Sequence, residues 1–228
     1  MYKEFIIISL IIIIHEFGHA ITALAFKWHL EKIAIYPFGG CVKFSEDINR
    51  PMYQELLILL AGPLTQVVFF LVISAIYHLN IISLRNFTLF RIYHYTLLIF
   101  NLLPVYPLDG GRLLNIIMNY FFPYKKGNKL VVAISLIIII FLIISIKNLN
   151  FFFLGFLLIV ELCLYYKKQD YLYNRFLLER YLNHYNFKKL KIITNKDNMY
   201  KEKRHLLKQE KKYLTEKEYL NTRFKTRR

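Results

Sequence analysis

Cysteine, tryptophan and acidic residues are scarce in this chain of 228 residues: two Cys, one Trp, and 15 Asp and Glu against 31 Lys and Arg. Cys41 and Cys163 have no partner at metal-type spacing, which excludes a cysteine-held metal centre and argues against a disulfide framework. Both are expected to be free thiols. There is no internal repeat, so a solenoid is excluded. No nucleic-acid motif accompanies the basic residues, so nucleic acid is not expected as a partner. No small-residue cleavage site follows the first apolar stretch, which is therefore read as a retained helix rather than a signal peptide.

Apolar runs, in contrast, are abundant. Hydrophobic residues make up 56% of the chain, against roughly 45–50% in an ordinary soluble domain. They gather in blocks near 5–26, 56–77, 88–122, 130–146 and 151–166. A helix of roughly 20 apolar residues crosses the hydrocarbon core, so these blocks predict about five spans. The third is broken by Pro104, Pro107, Gly110 and Gly111. Trp28 and the many Tyr residues near span ends fit an aromatic belt. Between the first two spans, Ala34–Val42 is apolar but interrupted by Pro37, Gly39 and Gly40, and predicts a short strand or a re-entrant loop at the membrane face.

The net charge of +16 is uneven. Residues 167–228 hold 19 Lys and Arg against 7 Asp and Glu, or +12 of that total. Because Lys and Arg resist translocation, this tail is expected in the cytoplasm, with five spans placing the N-terminus outside. Attraction to anionic lipid is expected as well. Domain organisation follows as a membrane core over 1–166 and a basic tail over 167–228, helical or partly disordered.

One cluster carries chemistry. His15-Glu16-Phe17-Gly18-His19 is an H-E-x-x-H pattern inside the first apolar block. Residues four apart share a helix face, so His15 and His19 can bind one metal ion. Glu16 beside them can take a proton from metal-bound water, whose pKa zinc lowers to about 7. Two histidines and a glutamate within a membrane span are costly, and such groups mark a functional site by default. The plainer alternative is hydrogen bonding to neighbouring helices. A catalytic zinc needs a third protein ligand, and Asp109, in the middle of the broken block, is the candidate. Its alternatives are an ion pair with Arg112 or a helix cap.

The H-E-x-G-H helix is followed by Pro37-Phe38-Gly39-Gly40, by Ala61-Gly62-Pro63, and by an N-x-x-P-x-x-P-L-D-G-G stretch from Asn101 to Gly111. This ordered set resembles the site-2 protease family of intramembrane zinc metalloproteases, and most of all its sporulation branch, which processes sigma-factor precursors. Arg175-Phe176-Leu177-Leu178-Glu179-Arg180-Tyr181 adds to the narrower likeness.

The resemblance implies an all-α polytopic membrane protein with a small re-entrant segment. It implies Zn2+ held by His15, His19 and Asp109, with Glu16 as general base. Asn101, Pro104, Pro107 and Gly110 would shape the loop beside the site, and Phe38, Gly39 and Gly40 would lie near the substrate entrance. The implied partners are the bilayer, a membrane-associated substrate such as a sigma-factor precursor, and membrane inhibitor proteins. The implied location is a bacterial membrane.

The chain departs from the family pattern in three places. The family member it most resembles has another apolar segment before the H-E-x-x-H helix. Many have Asn where this chain has Gln66. A C-terminal regulatory domain of the cystathionine-β-synthase type looks missing or degraded. Two rivals remain: a metal or proton transporter, against which the nearly pure Ile, Leu and Phe of the other spans argue, and an inactive scaffold of the same fold. The remaining histidines, His29, His78, His94, His184 and His205, are expected at the interface or in solvent.

Overall fold

The structure is a computed structural model that describes residues 2–28, 30–36, 39–44, 48–146, 148–183, 185–209 and 212–225, with only the backbone described for 30–36, 39–44 and 209. By contact density the chain divides into two units, Met1–Glu46 with Tyr53–Leu103, and Asp47–Met52 with Pro104–Arg228.

The first unit contains α1 (Tyr2–Ala25), a hairpin of β1 (Leu30–Tyr36) and β2 (Gly39–Phe44), α2 (Met52–His78) and α3 (Leu84–Asn101). Its helices have no strong polar face: exposed Ile, Leu, Val and Phe side chains are spread along them, as lipid requires and water would not tolerate. The α1–α2 contact relies instead on small residues. A Cβ at Gly18 would lie 2.6 Å from the Ala61 carbonyl oxygen, so the α1 and α2 backbones approach as only glycine permits. Pro63 lies within α2, where it removes one N–H from the ladder. Near this point the Thr65 hydroxyl is 2.8 Å from Gly62 O and 3.3 Å from Ile14 O of α1.

Within the apolar Ala34–Val42 stretch, residues 34–36 and 39–42 are extended. β1 and β2 pair antiparallel, with Ile35 opposite Gly40 and Tyr36 opposite Gly39. Pro37 and Phe38 lie outside the described residues. Trp28 is buried with Ala23 and Ile58, Phe26 packing beside them, and donates its indole N–H to Gln54 Oε1 at 3.0 Å. It is a packing residue of this unit rather than part of an aromatic belt.

The second unit contains α4 (Asp109–Phe121), α5 (Tyr124–Ser145), α6 (Leu149–Lys167), α7 (Gln169–Leu182), a sheet of β3 (Lys189–Ile193), β4 (Lys203–Gln209) and β5 (Lys212–Thr215), and α8 (Glu216–Lys225). Helices α1, α2, α5 and α6 are long and apolar enough to cross a membrane. The expected third span is two shorter helices, α3 and α4, separated where the prolines fall. Arg85, Arg91 and His94 make α3 the more polar of the two units' long helices.

The tail departs from expectation. It is folded, with β3 parallel to β4 and β4 antiparallel to β5. Its core is Tyr124, Tyr173, Phe176, Leu177, Ile193, Met199, Leu207, Tyr219 and Leu220. A Lys-rich composition hides this, because the apolar residues are few and widely spaced in sequence. Arg180 ties the core together. Its guanidinium donates to Asn49 Oδ1 (2.7 Å), Glu216 Oε1 (2.8 Å), Tyr200 O (2.8 Å) and Lys203 O (3.0 Å), between the rings of Phe176 and Phe187.

Candidate metal centre and its surroundings

His15 and His19 lie one helical turn apart on α1 and are buried, at 3% and 6% exposure. Their Nε2 atoms are 3.1 Å from one another. The hydrogen bonds at the other ring nitrogens decide what this contact can be. His19 Nδ1 faces the Ile58 carbonyl oxygen at 2.8 Å. A carbonyl only accepts, so that nitrogen carries the proton and Nε2 presents a lone pair.

The same logic reaches His15 through Gln66. Gln66 Nε2 donates to the His94 carbonyl at 3.0 Å, which turns its Oε1 toward His15 Nδ1, also at 3.0 Å. His15 therefore donates from Nδ1 and its Nε2 is likewise a lone pair. Two Nε2 lone pairs directed at one another would repel, and a cation beside both removes the repulsion. Imidazole nitrogen at i, i+4 spacing, with the second N–H anchored, is a donor set suited to zinc. This half of the site fits the metal.

Glycine makes room for it. A Cβ on Gly62 would lie 2.3 Å from His19 Nε2, so the imidazole occupies space that any other residue at 62 would fill. The Ala61-Gly62-Pro63 motif thus has a steric cause: close helix approach at 61 and ring clearance at 62. Glu16, next to His15, is half-buried.

Asp109 belongs to the second unit. The α4 capping position falls on Leu108, so Asp109 is the first residue of the helix proper and not its cap. A carboxylate there is favoured by the helix dipole. The preceding turn is closed by Leu108 N–H donating to Val105 O and Arg112 N–H donating to Leu108 O, both at 2.9 Å. A Cβ at Gly111 would meet the Val105 carbonyl carbon and Tyr106 N at 2.3 Å, so α4 packs directly under its own entry loop. Tyr106 N–H donates to Ser135 Oγ at 3.0 Å, and its ring stacks on Tyr165 at 3.9 Å. Tyr165 hydroxyl accepts from Asn115 Nδ2, and Asn115, Asn119 and Asn128 form a buried amide cluster between α4 and α5. The other spans are thus less purely apolar than their sequence blocks imply.

The remaining loop candidates differ in burial and in the element they belong to. Asn101 is the last residue of α3, half-buried; Pro104 is exposed, Pro107 half-buried, and Gly110 buried in the first turn of α4. Gly39 and Gly40 open β2. Gln66 and Ile58 are the participants that lie outside the quoted motifs. The available signal was a glutamine within an otherwise apolar run.

Two histidines expected at the interface or in solvent are buried instead. His94 is 1% exposed and stacks on Phe70 at 4.5 Å, because the Phe70, Phe90 and Tyr95 rings enclose it. His205 is 1% exposed, accepting Tyr200 N–H at Nε2 and facing Glu216 Oε2 from Nδ1 at 3.1 Å. His78 is exposed at the end of α2, and His29 and His184 lie outside the described residues.

The chain is 34% identical over 184 residues to stage IV sporulation protein FB of Bacillus subtilis, covering 78% of this chain and 64% of that protein. It is 31% identical over 148 residues to a zinc metalloprotease of Methanocaldococcus jannaschii, covering 62% of this chain and 43% of that one. It therefore spans less than two thirds of the length of these relatives. Its fold is similar to the solved site-2 protease of M. jannaschii, with a TM-score of 0.52 and 25% identity over 79% of each chain. The pattern of Peptidase family M50 matches residues 3–83 and 78–143, more than half of the sequence. The chain is an integral membrane protein and belongs to Peptidase family M50.

Proposed function

We propose that this chain is an intramembrane zinc endopeptidase that hydrolyses peptide bonds of membrane-associated proteins. The observation that carries the reading is the pair of His15 and His19 Nε2 lone pairs, 3.1 Å apart, each fixed by an anchored Nδ1–H. His15 and His19 would supply two zinc ligands and Asp109 the third, giving the three protein ligands of a catalytic site. When bound, zinc acidifies a water and polarises the scissile carbonyl. Glu16, one residue from His15, takes the proton from the attacking water and delivers it to the leaving amine. Asn101, with Pro104, Pro107 and Gly110, would shape the substrate loop, and the β2 glycines Gly39 and Gly40, with Phe38, would border the substrate's path. The substrate must unwind first, since helical amides are hydrogen-bonded and shielded.

The finer reading is that the substrate is a sporulation sigma-factor precursor, cleaved on the cytoplasmic side, where the basic tail also lies. Its support is the motif likeness to the sporulation branch and the 34% identity to a stage IV sporulation protein. Control by membrane inhibitor proteins belongs to the same reading.

The test is co-expression with a membrane-tethered sigma-factor precursor, comparing wild type with Glu16→Gln. Cleavage that disappears in Glu16→Gln, at equal protein level and equal zinc content, is the expected result. Zinc bound by wild type but no cleavage of any membrane-tethered reporter would favour the inactive scaffold.

A further inference from the structure

We infer that Gln66 is the positioning residue of the first histidine ligand, an inference that rests on the zinc reading above. Gln66 is wholly buried, at 0% exposure, in the middle of α2. A primary amide is a poor choice for a membrane-spanning helix unless its donors and acceptor are used. Both ends are used here. Nε2 donates to the His94 carbonyl of α3, and Oε1 accepts from His15 Nδ1, each at 3.0 Å.

The order of these contacts gives the residue its function. The His94 carbonyl can only accept, so it determines which end of the amide points at His15. The amide in turn determines which His15 nitrogen carries the proton, leaving Nε2 as the donor atom for metal. His19 obtains the same result from a backbone carbonyl, Ile58 O. The two ligands are thus oriented by different devices, both on α2, and only the one at His15 depends on a side chain. The device also makes α3 part of the site without contributing a ligand.

A purely structural role, gluing α1 to α2 and α3, predicts loss of stability whether or not the metal ligand is present. A positioning role predicts an effect that runs through His15. The experiment uses the full chain, purified in detergent and stripped of metal. Zinc affinity is measured by competition with a chromophoric chelator for wild type, Gln66→Leu, His15→Ala and the double variant. Gln66→Leu keeps the volume and loses both hydrogen bonds, and is expected to weaken zinc binding by about 10- to 100-fold, the usual effect of losing such a partner. In the His15→Ala background the same substitution is expected to change affinity by less than about twofold. Should Gln66→Leu not fold, Gln66→Met keeps an unbranched side chain of similar length without the amide that joins both partners, and the same weakening is expected.

Wild-type affinity in Gln66→Leu, or an equal loss in the presence and absence of His15, would overturn the inference. If wild type itself binds no zinc, the protease reading fails first and this inference with it. The two failures are separated by the wild-type titration alone.

Discussion

Gly62 lies against the His19 imidazole, and a Cβ at 62 would come within 2.3 Å of Nε2, 2.4 Å of Cε1 and 2.9 Å of Cδ2. The ring cannot retreat freely, because its Nδ1 is held by Ile58 O. Two effects of Gly62→Ala therefore oppose one another. Helix propensity favours alanine by about 0.8–1 kcal/mol, whereas the methyl group displaces a proposed ligand. The clash is with a side chain facing the proposed metal, so it is expected to appear in metal binding: zinc content at least about tenfold lower, with helicity by circular dichroism unchanged. Retention of full zinc content would show that His19 can bind from another rotamer.

The loop before Asp109 is expected to be sensitive at a residue outside every motif. Ser135 accepts the Tyr106 N–H, and both lie in the second unit. Ser135→Ala leaves that amide without this partner, at a cost of roughly 1–3 kcal/mol for a buried donor. A lowered thermal midpoint of the purified chain is expected, together with faster hydrogen exchange at Tyr106. Exchange at wild-type rate would mean that the loop is held without the Ser135 hydrogen bond. Gly111→Ala, whose Cβ meets backbone rather than a movable side chain, is expected to be the more damaging change.

The membrane helices and the His15–His19 pair were legible in the sequence because each follows a short-range rule. Apolar block length marks a span, and i, i+4 spacing marks a shared helix face. Observed helix ends lie a few residues beyond the apolar blocks, since polar residues such as Lys125 and Asn128 continue α5 outward. The Gln66 contact was not legible. It joins residues 51 apart in sequence, and only helix packing shows that a glutamine in α2 meets a histidine in α1. The folded tail was missed for a related reason. Its core takes three residues from α7, two from α8 and one each from α5, β3, β4 and the β3–β4 connection, so no single window of sequence reveals it. The RFLLERY motif acquires a physical meaning only in this core, where Arg180 is its centre and Phe176 and Leu177 are fully buried.

Acid is expected to loosen that tail before it affects the membrane helices. Glu216 is pushed down to about 2: burial opposes ionisation, but the hydrogen bond from His205 and the charge of Arg180 outweigh it. His205 is lowered below its usual 6.5, first by burial and then by Arg180 and Lys203, against the pull of Glu216. Both shifts have the same sign for stability. A group whose pKa is depressed in the folded state stabilises it fully above the unfolded value and loses that contribution as pH falls toward the folded one. The loss therefore begins near 6.5, when the unfolded state takes up the His205 proton, and deepens from about 4.5 toward about 2 through Glu216. Hydrogen exchange of β4 and α8 in the full chain, measured from pH 7 to pH 4, is expected to show protection falling while α1 and α2 stay protected. His205→Gln is expected to remove the upper part of this dependence and to reduce the lower part, since Glu216 loses the His205 contact but keeps Arg180. Replacing Arg180 with Leu takes the guanidinium from Glu216 and from the Asn49, Tyr200 and Lys203 oxygens, leaving the carboxylate, among the described residues, only its contacts with His205, and is expected to abolish tail protection already at pH 7. Equal protection of β4 in wild type and Arg180→Leu at pH 7 would show that the apolar core alone holds the tail together.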